Sequence, residues 1–460
     1  MTSKIVVNNI ESDSGIGSVT FTSDIELGTK NLKGHNLEST GIVTATSFSG
    51  SGASLTSLPA GNLTGTLPAI DGSNLTGVGA SFGNSSVNTS GIITATAFVP
   101  SQGQLSHRNL IINGAMHVAQ RGTSSTSSGY YTVDRFQVRD ISVDESSTKE
   151  QVDVASGTTP YTSGFRKALK ITNGNQTSGA GAGDQIYISH KIEAQNIATS
   201  GWNYTSTSSN ITFSFWVKSS VAQNFYGYFL TKDGTSYIYP FETGSLSADT
   251  WTKVIKTIPG NSNLQFDMNA NTGFEILIIP FFGTDKTGSV SLNAWSAYNS
   301  SVRVPDNTST WYTTNDATFE ITGVQLEVGS VATPFEHRTY SEQLLLCQRY
   351  YRVIKDGSED NGGYVGYMSY NYDVNSVVTQ INFIPEMRAT PTIASTSGTN
   401  YYRYYRNSGY VDINAMNAIN GMGRKGGAFN NSDSGNGTAG QAGAFVMNNS
   451  SAKIAFDAEL

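Results

Sequence analysis

Apolar and polar positions alternate most strictly over residues 211–218 (ITFSFWVK): Ile211, Phe213, Phe215 and Val217 share one parity, and Thr212, Ser214, Trp216 and Lys218 the other. A period of two over this length predicts a strand with one buried face. The same rule predicts a strand over 225–229, with Phe225 and Phe229 on one side and Tyr226 and Tyr228 on the other, and further strands over 252–258, 274–282 and 318–328. Clusters of Gly, Asn, Ser and Asp separate these runs, so residues 107–338 read as a jelly-roll β-sandwich. Were the strands over 211–218 and 225–229 neighbours, Trp216, Tyr226 and Tyr228 would form an aromatic strip on one open sheet face, suited to the apolar faces of sugar rings. The alternative is that a loop or a neighbouring subunit covers these rings.

Residues 39–106 follow neither the strand nor the helix period. Leu55, Leu58, Leu63, Leu67, Ile70, Leu75 and Val78 recur every few positions, while Pro59 and Pro68 interrupt any helix or ladder. Between Thr40 and Ser106 the only charged residue is Asp71. Two repeats appear: GIVTATSF at 41–48 returns as GIITATAF at 91–98, and Asn62-Leu63-Thr64-Gly65 returns as Asn74-Leu75-Thr76-Gly77. Short repeats point to stacking. One such chain cannot form a core by itself, which predicts an extended β shaft wound from three identical chains, a homotrimer. A disordered linker is the alternative, although such linkers are depleted in the aliphatic residues that recur here.

Thr339-Tyr340-Ser341-Glu342 has the form of a capping box and predicts a connector helix over 339–352. Tyr340, Leu344, Cys347 and Tyr351 would then share a stripe suited to a seam of three helices, with Cys347 a small apolar filler. Residues 353–460 read as a second all-β domain, a tip, with strands over 363–370, 377–384, 401–406 and 453–459. Tyr401, Tyr402, Arg403, Tyr404, Tyr405 and Arg406 place tyrosine and arginine on both faces of one strand, a combination that suits stacking on a glycan and bidentate hydrogen bonds to its hydroxyl or acidic groups. A tyrosine-rich wall between subunits is the alternative. Residues 421–443 are dense in Gly, Asn and Ser and read as a mobile loop, the expected place of recognition. In the closing segment Ala452, Ile454, Phe456, Ala458 and Leu460 alternate with Lys453, Ala455, Asp457 and Glu459, which predicts a packed strand.

Composition narrows the function. Charged residues are 14% of the 460, against about 25% in an average soluble protein, so Ser, Thr, Asn and Gly must form the surface and sheets are favoured over solvent-facing helices. The net charge of −7 and the lack of a basic block argue against nucleic-acid binding. No run of 18 apolar residues exists and the start, MTSKIVVNNI, lacks the features of a secretory signal, so neither membrane insertion nor export is expected. With a single Cys and five scattered His residues (35, 107, 117, 190 and 337), no disulfide, metal site or nucleophile–base pair is expected. The sequence predicts no catalytic residue and no cofactor, with a structural calcium on backbone carbonyls and scattered Asp the one exception left open.

Two blocks carry a resemblance. The first is Asn109 to Met116 (NLIINGAM), followed by Gln120-Arg121-Gly122 and by Tyr131 to Phe136 (YTVDRF); the second is Ile321 to Gly329 (ITGVQLEVG), running on to Pro334-Phe335-Glu336-His337-Arg338. Both resemble blocks of bacteriophage tail-fibre proteins, notably those of cyanophages, and the segment 42–50 (IVTATSFSG) is similar to their shaft. The sandwich also resembles jelly-roll carbohydrate-binding modules in pattern, without shared ligand residues. The resemblance implies a virion-located fibre held to a tail or baseplate protein through residues 1–38 and attaching the particle to a host surface glycan. A glycan depolymerase on the same virion and a structural spacer are the competing expectations.

Overall fold

The alternation over 211–218 is realised in full: Ile211, Phe213, Phe215 and Val217 are wholly buried. They belong to a sandwich in the computed structural model, which describes residues 106–407, 409–431 and 437–460 together with isolated positions before them. The chain divides into residues 1–94 and 95–460. Apart from isolated positions, the anchor expected over 1–38 and the shaft expected over 39–106 lie outside the described residues.

The sandwich strands are β1 (Ser124–Ser125), β2 (Phe136–Ile141), β3 (Thr148–Asp153), β4 (Lys167–Thr172), β5 (Gln185–Glu193), β6 (Asn210–Ser219), β7 (Asn224–Thr231), β8 (Tyr237–Ser245), β9 (Thr252–Pro259), β10 (Thr272–Phe282), β11 (Ser296–Ala297) and β12 (Thr318–Val328). They form two antiparallel six-stranded sheets, β1-β3-β4-β12-β6-β9 and β11-β8-β7-β10-β5-β2, the layout of a jelly-roll-like fold. Phe213, Phe229, Phe241, Phe274 and Phe319 meet between the sheets, with Phe229 stacked on Phe274 at a centroid distance of 5.6 Å. The outer face of the first sheet is a ladder of cross-strand charges: Lys170 pairs with Glu150 at 2.7 Å and Lys218 with Glu320 at 2.9 Å. On the outer face of the second sheet lies a further apolar layer, in which Tyr228, Leu277 and Phe282 pack with Tyr298 and Val304 from the segment after β10.

Glu342 and Thr339 form the predicted capping box: the Thr339 amide donates to Glu342 Oε2 at 2.8 Å, and the Glu342 amide to Thr339 Oγ1 at 3.3 Å. The helix spans Tyr340–Gln348 and stops short of the expected end. Tyr351 starts the next strand instead, and Tyr340 is exposed while Cys347 is buried, so the expected four-residue stripe does not exist on this helix.

The second domain contains β13 (Tyr351–Asp356), β14 (Ser369–Asn371), β15 (Val377–Asn382), β16 (Thr392–Ile393), β17 (Tyr402–Arg406), β18 (Gly409–Ile413), β19 (Met416–Gly423), β20 (Gly426–Asn431), β21 (Ala442–Met447) and β22 (Lys453–Asp457). A three-stranded sheet, β13-β22-β16, faces a seven-stranded one, β18-β17-β21-β14-β15-β20-β19. Ile454 and Phe456 of β22 are wholly buried, as the alternation requires, and pack with Phe383, Phe429 and Tyr402. Over residues 421–431 the expected mobile loop does not form, and residues 432–436 of that stretch lie outside the described residues. Residues up to Asn431 complete the β19–β20 hairpin, and β21 begins at Ala442. Glycine-rich sequence is accommodated there because Gly426, at φ 147°, sits against the Ile381 carbonyl, where a Cβ would approach to 2.3 Å.

Residues beyond β22 return to the sandwich. Glu459 pairs with Arg135 and, at 3.3 Å, with Arg121, while Lys191 donates to the Leu460 carbonyl at 2.8 Å. Arg135 is almost fully buried, its guanidinium 3.5 Å from the Tyr350 ring centroid. Arg349 and Tyr350 grip Glu193 of β5 at 2.7 and 2.6 Å. Burial alone would raise the Glu193 carboxyl, but these hydrogen bonds outweigh it and hold the group below its ordinary range.

Candidate functional site

The hairpin of β17 and β18 opposes Arg403 with Asp412 and Tyr405 with Tyr410. Side chains that face each other across a ladder share a sheet face, so these four stand together. Asp412 accepts two hydrogen bonds from Arg403, Nε to Oδ1 at 2.6 Å and Nη2 to Oδ2 at 3.0 Å. The fork fixes the guanidinium plane, and the hydrogen bonds raise the Arg403 pKa further. Its carbon lies 3.9 Å from the centroid of Tyr410. Tyr405 meets Tyr410 edge to face at 5.8 Å, and the two rings are 40% and 57% exposed.

A shallow groove of about 730 Å³ runs beside this pair, lined by Tyr405, Arg406, Tyr410, Ala442, Gly443 and Ala444. Its floor carries only small residues, Ala442, Gly443 and Ala444, and Gly443 packs inward so tightly on Tyr404 that an added Cβ would lie 2.6 Å from the hydroxyl. Fixed aromatic rings, a locked guanidinium–carboxylate pair and a smooth floor can stack an apolar ring face and bond hydroxyls at its rim.

The six residues singled out in the sequence divide between the two faces. Tyr402 and Tyr404 point inward and are wholly buried, Tyr402 donating to the Thr396 carbonyl at 2.6 Å and Tyr404 to that of Gln441 at 3.0 Å. Burial pushes the Tyr402 hydroxyl up to about 12. Neither ring is available to a ligand. Tyr401 precedes the strand and is half-buried beside Gly398, whereas Arg403 and Tyr405 share the outer face and Arg406, of the same parity as Tyr402 and Tyr404, is half-buried at the end of the strand. Tyr410 and Asp412 were not read from the sequence. The turn residues Asn407 and Gly409 between two short runs were the signal that pairs them with Tyr405 and Arg403.

Trp216, Tyr226 and Tyr228 are not brought together. Trp216 lies on β6 in one sheet and the tyrosines on β7 in the other, because β6 pairs with β12 and β9 while β7 pairs with β10 and β8. Trp216 packs with Phe165, Trp251 and Phe335 beside a bulge in β12 at Gly323. Tyr228 is 2% exposed under the segment that follows β10, and Tyr226 is half-buried beside it. The expected aromatic strip is therefore dismantled by topology and covered.

The blocks quoted for the resemblance hold the architecture together. Asn109 Oδ1 accepts from the amides of Ile111 and Leu326 at 3.0 and 3.1 Å, and Asn113 Nδ2 donates to the carbonyls of Val118 and Asp134 at 2.8 and 3.0 Å. Gly114 runs so close to β12 that a Cβ would lie 2.0 Å from the Val324 carbonyl oxygen. Arg121 and Arg135 from the same stretch anchor the second domain. Among the described residues no group of three or more His, Cys, Asp or Glu side chains could hold a metal, and no helix is long and apolar enough to cross a membrane.

No family model and no curated protein matches the chain. Solved structures with similar parts include the enzymatically active domain of tailspike protein 4 of bacteriophage CBA120, at 9% identity and a TM-score of 0.26, covering 48% of this chain and 21% of that one. The N-terminal cellulose-binding domain of β-1,4-glucanase C from Cellulomonas fimi matches at 10% identity and a TM-score of 0.23, covering 47% of this chain and 99% of its own. The tandem CBM22 domains of Xyn10C from Paenibacillus barcinonensis match at 9% and 0.24, covering 79% and 92%. The chain thus spans about a fifth of the tailspike domain. At these scores the likenesses carry no functional argument, and the site must be judged on its own geometry.

Proposed function

We propose that this chain is the subunit of a bacteriophage tail fibre that attaches the virion to the host cell by recognising a surface glycan without cleaving it. The observation that carries the reading is the exposed Tyr405–Tyr410 pair with Arg403 locked by Asp412 beside a smooth groove. A sugar ring offers a C–H face to the tyrosines and hydroxyls to the paired charges. Because the fork is already fixed, little side-chain entropy is lost on binding. The shared tail-fibre blocks and the shaft repeats support the assignment to a fibre, with residues 1–38 held by a tail or baseplate protein and three copies per fibre. Three weak sites on one rod gain avidity of about 10²–10⁴ over a single one.

The test is incubation of the purified protein with host cells and with the isolated surface glycan. Saturable binding without release of oligosaccharide is the expected result. Release of oligosaccharide would make the chain a depolymerase, and failure to bind cells would make it a spacer. In the Tyr405→Ala/Tyr410→Ala variant, loss of two stacking contacts worth about 0.5–1.5 kcal/mol each should weaken single-site binding about 5- to 150-fold. Unchanged binding by a folded variant would remove the site from this face.

A further inference from the structure

Where the sandwich meets the second domain there is a groove of about 470 Å³, a size typical of small-ligand sites. Tyr130, Tyr131 and Gln137 line it from the sandwich, and Tyr351, Lys453 and Asp457 from the second domain. Tyr131 is 48% exposed and packs against Gly129, which exchanges two backbone hydrogen bonds with Val138 of β2, at 2.7 and 3.0 Å, and where an added Cβ would lie 3.0 Å from the ring's Cε2. Opposite, Arg121 lies 3.6 Å from the Tyr351 ring centroid and pairs with Asp457 at 2.9 Å. Lys453 pairs with Asp356 at 2.9 Å.

Every charge at the groove is thus matched within the protein, while the Asp457 and Lys453 side chains remain 33% and 21% exposed. A paired carboxylate keeps lone pairs for a hydroxyl, and a paired ammonium keeps a proton to donate. A charged ligand would have to displace an internal ion pair, whereas an uncharged polyhydroxyl ring need not. We propose that this groove is a second saccharide site, distinct from the outer face of the β17–β18 hairpin, that takes one or two uncharged sugar units stacked on Tyr131 and hydrogen-bonded by Gln137, Asp457 and Lys453. The ligand class rests on the glycan reading above; the site itself rests on its own residues. Since each domain supplies half of the groove, an occupant bridges them.

The experiment is isothermal titration of the full chain with a neutral oligosaccharide fraction of the host surface glycan, together with thermal melts. The proteins compared are wild type, Tyr131→Ala, Gln137→Ala and Tyr405→Ala/Tyr410→Ala, each checked for fold by circular dichroism. The expected result is two classes of site in wild type, loss of one in Tyr131→Ala, and affinity of that class reduced about tenfold in Gln137→Ala. The ligand-induced rise in melting temperature should shrink in both groove variants and persist in the hairpin variant. Two unchanged classes in Tyr131→Ala, or a single class lost with the hairpin variant, would overturn the groove site and leave the glycan reading standing. No binding by wild type would overturn both.

Discussion

His190 shows how burial fixes a protonation state. It sits in β5 against Phe136, with ring centroids 4.8 Å apart, and its Nδ1 has no hydrogen-bond partner among the described residues. Burial first, and then the Arg135 charge, lower its pKa well below 6.5. The unfolded chain takes up this proton near 6.5 and the folded chain does not, so the stability tied to a neutral His190 is present above that pH and lost as pH falls below it. Asp134 acts in the opposite sense: burial raises its carboxyl to about 6, so folding gains stability as pH falls from 6 towards 4. Melting temperature measured from pH 7.5 to 5 should therefore fall less steeply in a His190→Gln variant than in wild type. An equal slope would mean that His190 is protonated in the folded protein. The role of Gly114 was legible only in part, since the sequence places a glycine in the block but does not reveal the strand that passes over it.

At the scale of the element, period-two runs gave strands with the correct face inward, and Thr339 with Glu342 marked a helix start. Both signals are local. Partners are not: β6 and β7 follow each other in sequence yet enter opposite sheets, so an aromatic strip inferred from adjacency failed. Glycine-rich sequence misled for a related reason, because the β19–β20 hairpin is stabilised by ladder bonds and a buried Phe429 rather than by propensity. The closing strand was legible because its alternation is strict and its apolar face is packed. Phe456→Ala, which empties a fully buried site, should cost about 3–5 kcal/mol by chemical denaturation, and deletion of 452–460 should abolish soluble protein. A soluble, cooperatively melting deletion product would refute the packing role of this strand.

The proposed fibre is a statement about several copies of the chain. Native mass measurement should give three chains per particle of protein, and Leu63→Asp with Leu75→Asp should block association by forcing carboxylates together in the shared layers. A monomer in the wild type, or unchanged trimer in the variant, would end the argument for axial leucines. Strand β22 lies between β13 and β16, and Glu459 behind it pairs with Arg121 and Arg135 of the sandwich. These residues are synthesised after every other part of the two domains. The sandwich can fold early during translation, but Arg121 and Arg135 lack their ion-pair partners, and the groove above them lacks Lys453 and Asp457, until residues 453–460 emerge. Synthesis of this segment thus acts as a clock for the two domains, and a chain that stops before residue 453 is distinguishable from one that carries it.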